Sequence, residues 1–419
     1  MDLASAARAR LGIAFLLAAS GVAAALPPGA AAQGRTGATA AHRAPVTMPP
    51  PATGDGGTDG TGGASGTTGG VHGTAGDAPG TTKEASGATG DASGAKAPAT
   101  ETGRTVSAWL PYWGDTRGAY RDALQHAAQL HTVSPFWYRA TSATTIKGQP
   151  GAGDRQVVAG LHKAGIKVVP TVNESMNAAT MAALLHDRAR RGAHVRALLR
   201  LVASRAYDGI DLDYETMATT GTARMRDRVR TGYALFADEL CARLHARGKS
   251  CVITVMARTA NSGKAYDYAR LGKAADRVRI MGYDLHWAEG SPGPLSSLAW
   301  YEEFLRYATG TVPRDKLEIA FPGYGWDWTR GVKARAKHLT WKEAEALRRR
   351  KGVAYRFDTK SGTPHFTYRA GRAVHDVWYQ DARGVAAHLP LLRKYGVRNA
   401  GLWALGFEDP GFWKVLRGE

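Results

Sequence analysis

The sequence predicts an α/β protein, a (β/α)8 TIM barrel with a small α+β insertion between its seventh and eighth strands. Eight short β-rich apolar segments recur along residues 104–419 with helical patterns between them. That alternation is the mark of βα units stacked into a mostly parallel sheet. The region is 316 of the 419 residues and holds every tryptophan, a size that suits one barrel with an addition.

Taken in order, residues 1–32 read as a secretory signal peptide. Arg8 and Arg10 precede an apolar stretch from about Leu11 to Leu26, and Ala30-Ala31-Ala32 supply a small-residue exit. A membrane anchor is the alternative, for which the stretch is slightly short. Residues 33–103 are dominated by Gly, Ala, Thr, Ser and Pro. Such a segment cannot bury a core, and it reads as a disordered tether with a reach of about 45–50 Å.

Barrel strands are expected near Thr105–Trp113, Thr132–Tyr138, Lys167–Asn173, Asp208–Glu215, Cys251–Met256, Arg277–Asp284, Leu317–Tyr324 and Ala400–Leu405. Between them, Val195, Leu198, Leu199 and Val202 recur at helical spacing over 193–206, which predicts a packing helix. About 70 residues separate the last two strands, and their alternating aromatic pieces near Tyr355, His365 and Val374–Tyr379 predict a β-containing insertion that walls a cleft. The only cysteines are Cys241 and Cys251; export would allow a disulfide between them, and two buried thiols are the alternative.

Charge is unevenly spread. The first 103 residues are close to neutral, which leaves a net charge of about +20 on the folded part. A field of that sign favours anionic partners, and anionic cell-wall polymer is the expected one for an exported chain. A merely solubilising surface is the alternative, and no nucleic-acid-binding motif is present. Thirteen histidines lie scattered without the spacing of metal ligands. No metal or cofactor is expected, and the chain is expected to act as a monomer.

Chemistry concentrates in Tyr207-Asp208-Gly209-Ile210-Asp211-Leu212-Asp213-Tyr214-Glu215. Strand side chains alternate faces, so Asp211, Asp213 and Glu215 are expected on one face. Stacked carboxyls raise at least one pKa, as an acid catalyst requires. Barrel enzymes place such groups at the carboxyl ends of strands, and Glu215 and Asp284 both fall at expected strand ends. Asp208 has the opposite parity and reads as structural.

Asp208, Asp211, Asp213 and Glu215 match the D-x-x-D-x-D-x-E signature, and the chain thereby resembles glycoside hydrolase family 18. Met281-Gly282-Tyr283-Asp284 and Gly401-Leu402-Trp403-Ala404-Leu405 resemble that family's M-x-Y-D motif and tryptophan strand. The resemblance implies substrate-assisted hydrolysis, in which the sugar's 2-acetamido oxygen attacks the anomeric carbon. It makes Glu215 the proton donor and later the base, Asp213 the acetamido partner and Asp211 its proton-sharing support. It also implies that Tyr283 and Asp284 bind the sugar and that Trp403 stacks beneath it. Tyr112 and His286 are further candidate sugar contacts, and Trp113, Trp137, Trp287, Trp326 and Trp328 also fall near strand ends or loops.

The third strand departs from the family pattern. It reads Val168-Val169-Pro170-Thr171-Val172-Asn173-Glu174-Ser175 where typical chitinases of the family carry an S-x-G-G element. With the loop after Asp284 and Val377-Trp378-Tyr379-Gln380-Asp381, this resembles the spore-cortex and cell-wall N-acetylglucosaminidase branch. The expected function is a secreted retaining hydrolase of β-1,4-linked N-acetylglucosamine-containing glycans such as peptidoglycan. A chitinase and a carbohydrate-binding lectin without activity are the alternatives; the presence of Glu215 argues against the lectin.

Overall fold

A computed structural model describes residues 104–418. The expected signal peptide (1–32) and tether (33–103) lie outside the described residues. The strands are β1 (Val106–Leu110), β2 (Leu130–Pro135), β3 (Tyr138–Ala140), β4 (Ile146–Gly148), β5 (Lys167–Val168), β6 (Thr171–Glu174), β7 (Gly209–Asp213), β8 (Ser250–Met256), β9 (Arg277–Met281) and β10 (Leu317–Pro322). After these come β11 (Tyr324–Thr329), β12 (Lys337–Thr340), β13 (Arg356–Asp358), β14 (Thr363–Ala370), β15 (Ala373–Tyr379) and β16 (Asn399–Trp403).

Eleven of them form one curled, mostly parallel sheet. The expected second barrel strand is two pieces, β2 and β3, separated by Phe136-Trp137, and the third is β5 and β6, separated by Val169-Pro170. Pro170 has no N–H to donate to a ladder, which accounts for the second break. First halves pair with each other, β2 with β5, and second halves likewise, β3 with β6. Pairing then runs through β7, β8, β9, β10, β16 and β1 back to β2, so eight strand positions follow one another around the barrel.

All residues of β1, β7, β10 and β16 are buried, as expected of parallel strands covered on both faces. Outer helices supply the cover. The helix over Arg188–Ala203 starts where Asp187 accepts from Arg190 N at 2.9 Å and buries Val195, Leu198, Leu199 and Val202. Each such fully buried leucine contributes about 2 kcal/mol. Cys241, on the helix Ala223–His245, and Cys251 on β8 form a disulfide, which resolves the two cysteine readings.

The insertion is present. Strands β11 to β15 make a five-stranded antiparallel sheet in the order β12-β11-β15-β14-β13, with the helix Trp341–Arg350 after β12. Leu339, Ala344, Leu347, Phe366, Val377 and Tyr379 form its own small core. The insertion begins earlier than the sequence suggested, because the seventh barrel strand stops at Pro322 and Tyr324 opens β11. Trp326 and Trp328 therefore belong to the insertion sheet.

Candidate active site

The barrel interior is polar at one level. Ser107 on β1, Ser134 on β2, Thr171 on β6, Asp211 on β7, Thr254 on β8, Arg279 on β9 and Glu318 on β10 are all buried. Asp211 Oδ2 accepts from Trp109 Nε1 (3.0 Å), Thr171 Oγ1 (2.7 Å) and Arg279 Nη1 (2.9 Å), and Oδ1 accepts from Thr254 Oγ1 (2.8 Å). Arg279 also donates to Glu318, to Ser107 Oγ (3.0 Å) and to Ser134 Oγ (3.2 Å), with its guanidinium 4.3 Å above the Trp109 ring. Gly401 completes the ring of strands; a Cβ there would lie 2.9 Å from Glu318 Oε1, so only glycine leaves room for this carboxylate.

One layer above, Asp213 faces the same interior. Its carboxyl is raised well above the ordinary aspartate value by burial, then by the neighbouring charges of Asp211 and Glu174. Asp213 Oδ1 is buried and has no hydrogen-bond partner among the described residues. Burial also raises Asp211, against the pull of Arg279.

Glu215 is not on the strand. β7 ends at Asp213, and Glu215 adopts a helical conformation as the residue that starts the short helix Thr216–Thr219. The correction matters for geometry: Asp211 and Asp213 are fixed by the sheet, while Glu215 sits half-buried at the barrel mouth. Its peptide is braced from below. Tyr266 Oη donates to Tyr214 O at 2.7 Å, and Tyr214 Oη lies 2.8 Å from His194 Nε2.

Tyr283 is buried in the field of Asp213, Glu215 and Asp284, and burial followed by those charges raises its phenol well above the usual value. Asp284 lies beyond the strand end, since β9 stops at Met281. It has φ of 61°, the only non-glycine residue with positive φ among the described residues. Such backbone strain persists where surroundings over-determine it. Here Tyr324 Oη (2.6 Å) and Trp326 Nε1 (3.1 Å) both donate to Asp284 Oδ1, so the insertion fixes a rim residue of the barrel. Trp403, at the end of β16, meets Trp109 and Phe136 edge-on at 5.3 and 5.1 Å.

The remaining candidates stand farther out. Tyr112 is half-buried against Trp113, with ring centroids 4.8 Å apart. His286 places Nδ1 3.0 Å from Ser291 O, within its own loop. Asp208 is structural, as its parity suggested: it accepts from Val168 N at 2.8 Å and lies 2.8 Å from His162 Nε2.

Glu174 was noted in the sequence only as part of a departure from a pattern. It is 2% exposed and ties the segment after β6 to the short helix Thr216–Thr219, accepting from Met176 N (3.0 Å) and Met217 N (2.8 Å). Burial raises its carboxyl from 4.5 to about 7. A carboxyl raised in the fold favours folding fully below its unfolded pKa and loses that contribution as pH rises to its folded pKa. Folding therefore loses about 3 kcal/mol between pH 4.5 and 7 through this group. For Glu174→Gln we expect a melting temperature at or below the native value at pH 4, because one acceptor oxygen is lost, and a difference that shifts in favour of Gln by pH 8. Thermal unfolding across that range checks it; a difference independent of pH would contradict it.

The family described as "Glycosyl hydrolases family 18" matches residues 123–408. An uncharacterized glycosylase of Bacillus subtilis, YvbX, is 28% identical over 226 residues, covering 52% of this chain and 63% of the relative. A cortical fragment-lytic enzyme of Bacillus anthracis is 27% identical over 253 residues, covering 58% of this chain and 57% of the relative. The chain thus spans about three fifths of the length of these curated relatives. Among solved structures, a chitinase of Chromobacterium violaceum superposes with a TM-score of 0.67 at 27% identity, covering 75% of this chain and 98% of that one.

Proposed function

Since this chain belongs to glycosyl hydrolase family 18, we propose that it cleaves β-1,4-linked N-acetylglucosamine-containing glycans by substrate-assisted, retaining chemistry outside the cell. Peptidoglycan is the substrate in this reading. The observation that carries the reading is the inward stack of Asp211 and Asp213 ending at Glu215, with Tyr283 buried against Asp213, Glu215 and Asp284.

Glu215, at the mouth, protonates the glycosidic oxygen as the bond to the anomeric carbon breaks. The substrate's acetamido oxygen closes on that carbon, giving a cyclic oxazolinium ion and inverting the centre once. Asp213 is the group on which the acetamido nitrogen rests, accepting from its N–H; burial and the charges of Asp211 and Glu174 raise its carboxyl well above the ordinary aspartate value. That contact stabilises the positive ring, and Asp211, whose oxygens already accept from four donors, holds its place below as support. Tyr283 orients the acetamido carbonyl, Asp284 steadies the sugar, and Trp403 gives it an apolar floor. Tyr112 and His286 are proposed as outer sugar contacts. Glu215, now a base, takes a proton from water as it attacks, which inverts the centre again and restores its configuration.

Peptidoglycan is favoured by the similarity to cortical fragment-lytic enzymes and by the third-strand sequence. Chitin is the second reading, favoured by the likeness to the Chromobacterium chitinase over almost all of that chain. Export is inferred from residues 1–32, and the basic barrel suits an anionic wall. Digestion of purified peptidoglycan and of N-acetylglucosamine oligomers by the full chain, followed by mass spectrometry of the new reducing ends, tests the reading. Faster cleavage of peptidoglycan is expected; products from the oligomers alone would favour chitin, and binding without products from either would favour a lectin.

A further inference from the structure

Two clefts meet on the insertion. The first, of about 880 Å³, lies between the insertion, the loop after β16 and the helix Thr116–Gln125, and is lined by Trp113, Trp326, Trp341 and Phe407 among others but by none of Asp211, Asp213, Glu215, Tyr283 or Asp284. Trp326 links it to the acids, through the bond from its indole N–H to Asp284. The second, of about 600 Å³, is a basin on the insertion sheet lined by Asp327, Arg335, Lys337, Arg350, Lys351 and His375. Arg335, Lys337 and Glu343 line both, so they form the wall between cleft and basin.

The charges of this wall are unbalanced. Arg335, Lys337 and Arg350 are exposed and enter no ion pair among the described residues, whereas Arg348 and Arg349 on the same helix as Arg350 both reach Glu345, at 2.9 and 3.8 Å. The two acids nearby are already engaged. Glu343 Oε2 accepts from Thr340 N (2.8 Å) and Thr340 Oγ1 (3.0 Å), capping its own helix. Asp327 accepts from Tyr368 Oη at 2.7 Å and has His375 Nδ1 at 2.8 Å. His338 adds a buried Nε2 with no hydrogen-bond partner among the described residues, and its side chain lines the first cleft.

We propose that the basin is an anion site that takes a carboxylate borne by a glycan running from the barrel mouth over the insertion, with Arg335 and Lys337 as the contact pair; Ala336 N, between them, donates to Ala288 O of the loop that follows Asp284. This rests on reading the chain as a wall-glycan hydrolase. An N-acetylglucosamine homopolymer offers only neutral hydroxyl and amide groups and forms no ion pair with these cations. A peptidoglycan strand carries carboxylates on its lactyl ethers or its stem peptides, and guanidinium and ammonium groups bind carboxylates through charge-assisted hydrogen bonds. The insertion then selects the charged polymer, while the barrel acts on the sugar unit that the two polymers share.

The test is a binding comparison by calorimetry on the full chain, with Glu215→Gln in the background to prevent turnover. Arg335→Gln with Lys337→Gln is compared with the unaltered background on soluble stem-bearing strands, on strands stripped of stem peptides, and on N-acetylglucosamine oligomers of equal length. We expect the paired substitution to weaken binding of stem-bearing strands about tenfold or more at low salt. That loss should shrink in 0.5 M salt as screening sets in, with no change on the neutral oligomers. Stripping frees the lactyl carboxyl that the stem's amide had masked, so a loss on stem-bearing strands assigns a stem carboxylate and a loss on stripped strands a lactyl one; a loss on either supports the site. Equal weakening on neutral oligomers, or none on either charged strand, would overturn it. Turnover by the native chain is scored separately, so failure of the hydrolase reading leaves this comparison intact.

Discussion

Glu215→Gln is expected to lower turnover by about 10³-fold while leaving glycan binding close to native. The amide fills the same space at the barrel mouth but cannot donate a proton to the leaving oxygen or accept one from water. Both halves of the reaction use this residue, so both are slowed. Asp211 and Asp213 cannot substitute: they are 0% and 4% exposed on the strand below, and Asp211 is enclosed by four donors. Initial rates and equilibrium binding on the same oligosaccharide separate the two effects. Native-like turnover by the variant would remove Glu215 from the mechanism, and lost binding with lost turnover would make its role structural.

The largest expected effect on stability comes from Arg279→Leu. Arg279 is 1% exposed and bridges Asp211 and Glu318 across the barrel interior. Leucine would leave two buried carboxyls without their countercharge, at a cost of about 3–5 kcal/mol. Against a total stability of about 5–15 kcal/mol that is a large fraction. A melting temperature lower by about 10 °C is expected for a chain of this size. The loss should have a definite pH dependence. Burial already raises Asp211, and without the opposing charge of Arg279 it binds its proton more tightly still in the fold, so the variant is least destabilised in acid and loses stability as pH rises toward neutrality. Arg279→Lys retains a charge but not the fork that reaches Asp211, Glu318 and the serines together, and should fall between the two. Thermal unfolding from pH 5 to 8 distinguishes this from a packing defect, which would be independent of pH.

What could be read in the sequence follows from distance along the chain. Asp211, Asp213 and Glu215 are near neighbours, and strand alternation suffices to bring the first two together. The insertion was legible through its alternating aromatic pieces. Ser107, Ser134, Thr171, Thr254, Arg279 and Glu318 were not, since they lie on six different strands and meet only when the sheet curls. Glu174 was hidden differently, because one of its partners, Met217, lies on the helix after the next barrel strand and meets it only in the fold. The strand position of Glu215 was misread because alternation was extended past Asp213, where the chain turns into a helix. The third strand was expected unbroken over Lys167–Asn173, whereas Pro170 interrupts it and the sheet bridges the break by pairing each half separately.

The most direct test of the mechanism is the configuration of the first-formed product. Proton NMR during the first minutes of digestion by the full chain, before mutarotation, reports the anomer at the new reducing end. Participation by the acetamido group inverts that carbon twice, so the β anomer should appear first and the α anomer only as equilibrium is approached. An initial α anomer would mean a single displacement by water, and would contradict the roles assigned to Asp213 and Glu215.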